Sequence, residues 1–194
     1  MAATKRGTAN TIAVLAIFLL SICGGLLARH FLREYRLREY PRKYSEYVEE
    51  YSLDCRIPDY SVYAVIKVVS GFDASLNNDG KTGLFQLTVE DYYRLSDPDD
   101  APDPGLLYEP ECSIKLGCRL ISSLYEKYGE WDAVWCAIFA GEDKTDSWMK
   151  TGQGGERSLG EVPEDAAGFI ESVNKAIKIY RSLYDEELFG SRSE

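Results

Sequence analysis

Residues 63–88 read YAVIKVVSGFDASLNNDGKTGLFQLT, and the reading of this stretch decides the fold. Its first half belongs to an apolar helix over residues 59–70, in which Val62, Ile66 and Val69 recur on one face. Asn77-Asn78-Asp79-Gly80 then predicts a tight turn, because Asn and Gly tolerate positive φ. Gly80, Gly83, Leu84 and Gln86 follow at fixed spacing, with Phe85 inside the run. The positions Ser75-x-Asn77-x-Asp79-Gly80 partly match a calcium loop, but the twelfth position is Gln86 where a bidentate glutamate is needed. No metal or cofactor is expected.

Outward from this stretch the pattern stays helical. Towards the N-terminus, Tyr40, Tyr44, Tyr47 and Tyr51 recur at steps of four, three and four, with Pro41 suited to a first helical turn. Such a stripe packs a helix onto the domain behind it or, more specifically, stacks sugars. Towards the C-terminus a capping threonine, Thr88, opens a short helix to Leu95. Residues 96–105 (SDPDDAPDPG) form a loop that no regular element absorbs. Helices are predicted over 110–128, 131–140 and 165–184, with an irregular glycine-rich segment over 144–163. No strong alternating run is present, so the domain is read as mainly α.

Composition limits the function. The chain has 194 residues, 45% of them hydrophobic, which is enough for one packed domain plus an appendage. A net charge of −10 argues against nucleic acid as a partner, because phosphate binding needs clustered Lys and Arg on the folded domain. Residues 12–28 (IAVLAIFLLSICGGLLA) carry no charge. At about 1.5 Å per residue they extend roughly 25 Å, close to the ~30 Å hydrocarbon core, with Arg29 able to snorkel. An uncleaved transmembrane anchor is expected. A cleaved signal lacks a clean small-x-small site, and a lipid attachment at Cys23 would follow the bulky Ile22. Cys55, Cys112, Cys118 and Cys136 form an even set compatible with disulfides outside the cell or with buried small hydrophobes. The only histidine is His30, which excludes a Ser-His-Asp hydrolase in the domain.

The ordered blocks of residues 44–184 resemble the lytic transglycosylases, lysozyme-like enzymes that cut the glycan strands of bacterial peptidoglycan. The first block of that family is an apolar helix ending in Glu-Ser; here Val68-Val69-Ser70 places Val69 where the glutamate is expected. Gly80, Gly83, Leu84 and Gln86 match the second block, Gly-x-x-Gly-Leu-x-Gln, with Phe85 in the usual methionine place. The stretch from Leu106 to Cys118 is similar to the connector in which an aromatic-acidic-proline turn opens a helix. The third block, Ala-Tyr-Asn-Ala-Gly, corresponds to Ala137-Ile138-Phe139-Ala140-Gly141, and the tyrosine of the fourth block corresponds to Phe169.

The resemblance implies a lysozyme-like domain whose glycan groove is lined by Ser70, Phe72, Gly83, Leu84, Gln86, Ile138, Phe139 and Phe169. It also implies that the acid is missing. In this family one glutamate protonates the leaving oxygen and then takes the proton of the 6-hydroxyl that closes a 1,6-anhydro ring, so its loss is felt twice. Asp73, four positions past Val69, is the first candidate for a substitute acid. The expected organisation is a cytoplasmic tail (1–11), a transmembrane anchor (12–28), a juxtamembrane helical linker (29–43), the lytic-transglycosylase-like domain (44–185) and a flexible tail (186–194). Lys5 and Arg6 before the anchor are outnumbered by Arg29, Arg33, Arg36 and Arg38 after it, which favours a cytoplasmic domain. The resemblance implies the opposite, a single-pass protein with an extracytoplasmic domain, and that orientation is adopted. The expected function is an inactive, glycan-binding or scaffolding protein at the cell wall, whose partners are peptidoglycan glycan strands or cell-wall proteins. The alternatives are an active lytic transglycosylase with a substitute carboxylate, or a purely protein-interacting module.

Overall fold

The computed structural model describes residues 3–99, 102–152 and 155–190, and side chains over 18–184 apart from 100–101 and 153–154. The chain divides into two units, Met1–Pro41 and Arg42–Glu194. In the first, α1 (Ala3–Glu39) is one uninterrupted helix, so the expected anchor and linker share a single element. No proline or glycine falls within 29–39 to break it, and it stops just before Pro41, which biases Tyr40 away from helical geometry. Among the described residues no helix is long and apolar enough to cross a membrane. The first six positions of the expected span, 12–17, have side chains outside the described residues.

The second unit is mainly helical. Its elements are α2 (Ser45–Asp54), α3 (Asp59–Val69), the small hairpin β1 (Asn77–Asn78) and β2 (Lys81–Thr82), α4 (Val89–Leu95), a 3-10 turn (Pro104–Tyr108), α5 (Pro110–Tyr128), α6 (Trp131–Ala140), α7 (Glu142–Trp148), the hairpin β3 (Met149–Thr151) and β4 (Arg157–Leu159), and α8 (Glu164–Gly190). Helix α3 lies at the centre: Val62, Val65 and Ile66 are fully buried, each stabilising by roughly 1.5–3 kcal/mol. Helix α8 packs along it, and Tyr180 stacks on Tyr63 with ring centroids 5.4 Å apart. Helix α6 packs against α8 and α5; its Trp135 is fully buried and donates from Nε1 to Asn174 Oδ1 at 3.2 Å.

Several expected boundaries move. Pro41 does not begin a helix. Tyr44 adopts a left-handed conformation (φ 59°, ψ 34°) and α2 starts after it. The guanidinium of Arg42 fixes this entry, lying 2.9 Å from Glu49 and over the rings of Tyr63 and Tyr184. The segment 144–163 is not irregular throughout: it contains most of α7 and the β3–β4 hairpin, paired Met149↔Leu159, Lys150↔Ser158 and Thr151↔Arg157. Strands of three residues are too short for an alternation signal, and a contact distant in sequence anchors this pair, the Leu159 N–H donating to Glu130 Oε2 at 2.8 Å. Helix α8 runs past 186 to Gly190, and the end of the expected tail, 191–194, lies outside the described residues. Thr88 caps α4 as expected, in a reciprocal box with Asp91.

Candidate functional site

Helix α3 ends at Val69, which is half-buried, and Ser70 closes it. The Ser70 hydroxyl lies 3.0 Å from the Ile66 carbonyl oxygen and 2.8 Å from that of Leu84. A hydroxyl has one proton to share between two such acceptors. Ser70 therefore ties the helix end to the glycine loop. Gly71 (φ 59°) and Phe72 (φ 68°) follow in left-handed geometry, which reverses the chain and buries the Phe72 ring to 4% exposure. Asp73 comes out on the surface. Its carboxylate accepts from the Ser75 hydroxyl at 2.6 Å and the Ser75 N–H at 2.9 Å, and these bonds hold its pKa below the usual carboxylate value.

The loop after β2 is built by backbone demands. At Gly83 φ is 76°, and a Cβ there would collide with the Leu107 carbonyl oxygen, so a side chain is excluded twice. Leu84 and Phe85 are buried; the Phe85 ring lies flat against Gly117 of α5, occupying the space a Cβ would need, and the Phe85 N–H donates to the Ser113 hydroxyl at 3.3 Å. Gln86 also has positive φ (52°), and its amide donates to the carbonyls of Gly83 (2.9 Å) and Leu76 (3.1 Å). Both of its amide protons thus hold the loop closed. Asn77 at the turn donates to the hydroxyls of Thr82 (3.1 Å) and Tyr108 (3.0 Å).

The opposite side comes from α6 and α8. Phe139, near the end of α6, stacks on Phe169 of α8 with centroids 5.1 Å apart and planes inclined by 27°. The two expected groove positions meet as an apolar pair, and Phe139 remains 36% exposed. Ile138 faces elsewhere, into a cavity of about 570 Å³ whose wall also includes Phe85, Gln86 and Leu87. The rim of that cavity carries a chain of ion pairs: Glu142 bridges Arg94 (2.9 Å) and Lys127 (2.8 Å), and Lys127 continues to Asp146 (2.9 Å). Partial burial opposes the charge on Lys127, but its bonds to Glu142 and Asp146 raise its pKa above the ordinary lysine value. The structure thus brings together Ser70 with Leu84, Gly83 with Gln86, Gln86 with Ile138, and Phe139 with Phe169. It turns Phe72 into the core and Asp73 into its own loop.

The family model described as Transglycosylase SLT domain matches residues 46–159. The chain belongs to that family. Solved structures agree on the fold. An inactive mutant of the lytic transglycosylase Slt from Pseudomonas aeruginosa, in which a glutamate is replaced by glutamine, superposes with a TM-score of 0.64 at 17% identity, covering 75% of this chain and 25% of that one. The 70 kDa soluble lytic transglycosylase from Escherichia coli superposes with a TM-score of 0.65 at 19% identity, covering 78% of this chain and 26% of that one. The same values hold for a 70 kDa soluble lytic transglycosylase in complex with bulgecin A. The chain spans about a quarter of the length of these structures. No curated protein matches it in sequence.

Within this SLT domain, sequence reasoning missed the supporting partners of the loop. Ser113 and Gly117 lie four apart on α5, and both face the Gly83–Phe85 segment. A small residue pair at that spacing inside an otherwise apolar helix face is the signal that could have found them. The charged rim of Arg94, Lys127 and Glu142 had no such signal, because its members are far apart in sequence.

Proposed function

We propose that this chain is a membrane-tethered SLT-domain protein that holds peptidoglycan glycan strands at the extracytoplasmic face without cutting them. One observation carries the reading: a hydrocarbon side chain, Val69, ends α3 where the resemblance expects the proton donor, directly before the Ser70 that locks the motif loop. A valine transfers no proton, and a positioned acid is worth about 10²–10⁴ in rate. Asp73 is a poor substitute. A general acid needs a pKa raised towards the working pH, and the Ser75 hydrogen bonds shift Asp73 downwards. The neighbouring fold from Pseudomonas aeruginosa, inactive with a glutamate changed to glutamine, supports the idea that losing one carboxyl group is enough.

Tethering rests on α1. Phe18, Leu19, Leu20, Ile22, Leu26 and Leu27 are all exposed along it, an apolar face that lipid would cover. Extraction by carbonate at high pH would count against an anchor; retention in the membrane pellet supports it.

The decisive assay incubates the full chain with purified sacculi. Saturable co-sedimentation, weakened by Phe139→Ala, and no 1,6-anhydro muropeptides above background are expected. Appearance of anhydro ends overturns the inactive reading. Absence of any retention leaves instead a protein-interaction module, a reading favoured by the engagement of both Gln86 amide protons within the loop.

A further inference from the structure

A second cavity, of about 600 Å³, shares no lining residue with the one beside Gln86. Its wall includes Tyr44, Tyr47 and Tyr51 along one side of the α2 region and Tyr92 of α4, with Glu109 and Glu111 from the start of α5. The stripe that marked α2 in the sequence is therefore neither fully packed away nor simply solvated: Tyr44, Tyr47 and Tyr51 are half-buried around an open space. The Tyr51 hydroxyl donates to Glu111 Oε1 at 3.0 Å. Burial first, then the hydrogen bond to Glu111 and the nearby charge of Glu111 and Glu50, push its pKa up to about 12. The one basic side chain in the lining, Lys115, is drawn to Asp97 at 3.0 Å, a carboxylate it shares with Arg119 (2.7 Å), and it faces two lining carboxylates, Glu109 and Glu111.

We propose that this cavity binds an ammonium group carried on an aliphatic stem. Tyrosine faces present negative π density to a cation, and carboxylates at the mouth neutralise it, while the aliphatic stem covers the ring edges. A neutral sugar would stack on the rings and donate hydroxyl hydrogen bonds to Glu109 and Glu111, but it would gain no charge attraction from them. An anion would be repelled by them.

The test follows the tyrosine ring resonances of the full chain in detergent micelles by NMR. The ligands are Nα-acetyl-lysine amide, choline and the neutral Nα,Nε-diacetyl-lysine amide. Saturable binding of an ammonium ligand, at least about fivefold tighter than the neutral one, is expected from the roughly 1 kcal/mol or more of a partly desolvated cation–π contact. Preference for the lysine derivative assigns a primary amine such as a peptide side chain; preference for choline assigns a quaternary one. Tyr47→Leu and Glu111→Gln should each weaken binding roughly threefold or more. Equal binding of the neutral ligand, or saturable binding by none, overturns the proposal. That comparison is made on the unaltered chain, so it stands even where a variant misfolds, and it is independent of glycan retention by the groove.

Discussion

The two sides of the candidate groove are held together by different physics. On the side of residues 70–86, polar bonds and backbone geometry dominate: Ser70 on Leu84, Gln86 on Gly83 and Leu76, and a glycine where no Cβ fits. On the side of α6 and α8, two rings stack, and Phe139 stays partly in solvent. The first side keeps the family's motif letters because those letters build the loop. On the second side the two rings are presented by helices whose own formation does not depend on them.

The sharpest way to break this contrast is to give the loop's scaffold a side chain. Gly117→Ala would drive a methyl into the buried Phe85 ring, and Gly83→Ala would add left-handed strain to its clash with Leu107. Overpacking alone is expected to lower unfolding free energy by about 1–3 kcal/mol for Gly117→Ala in urea melts, and overpacking with backbone strain by about 2–5 kcal/mol for Gly83→Ala. Equal stability would mean that the loop is not held as described.

Next in size, Ser70→Ala removes the hydroxyl that serves the buried Leu84 carbonyl. An unsatisfied buried acceptor costs about 1–3 kcal/mol, visible in the same melts. On the other side, Phe169→Leu removes one ring of the stack while keeping apolar volume. A loss of only about 0.5–1.5 kcal/mol is expected there. If this change proved costlier than Ser70→Ala, the stated contrast would be reversed.

The smallest expected effect concerns acid. Asp97 is held down to a pKa of about 2 by hydrogen bonds from Arg119 (2.7 Å) and Lys115 (3.0 Å). A depressed carboxylate contributes stability that is present above its unfolded pKa of about 3.9 and is lost as pH falls through about 2. Asp97→Asn should therefore flatten the acid limb of a stability–pH profile in that window, and lower stability by a constant amount between pH 6 and 8 without changing the slope there. An unaltered acid limb removes Asp97 from the account.

Helix periodicity made most of the fold legible. Helix α6 lies at its expected bounds, α3 and α5 at theirs within a residue, and the Thr88 cap is where its side chain said it would be. What the pattern missed was short or non-local: the β3–β4 hairpin, the left-handed break at Tyr44, and the extension of α8. Of the candidate site, the sequence named the residues and not their partners. Gln86 read as a groove-lining residue, yet its amide protons close the loop; Asp73 read as the first candidate for a substitute acid, yet its own turn captures it.

The sequence by itself determined the helical framework and the chemical identity of position 69, because periodicity and side-chain type are local properties. Only the tertiary structure decided which polar groups are already engaged, that Phe139 meets Phe169, and that four tyrosines line a cavity beside two glutamates. Those facts depend on distances between segments far apart in the chain, and such distances are set by packing rather than by any single stretch of residues.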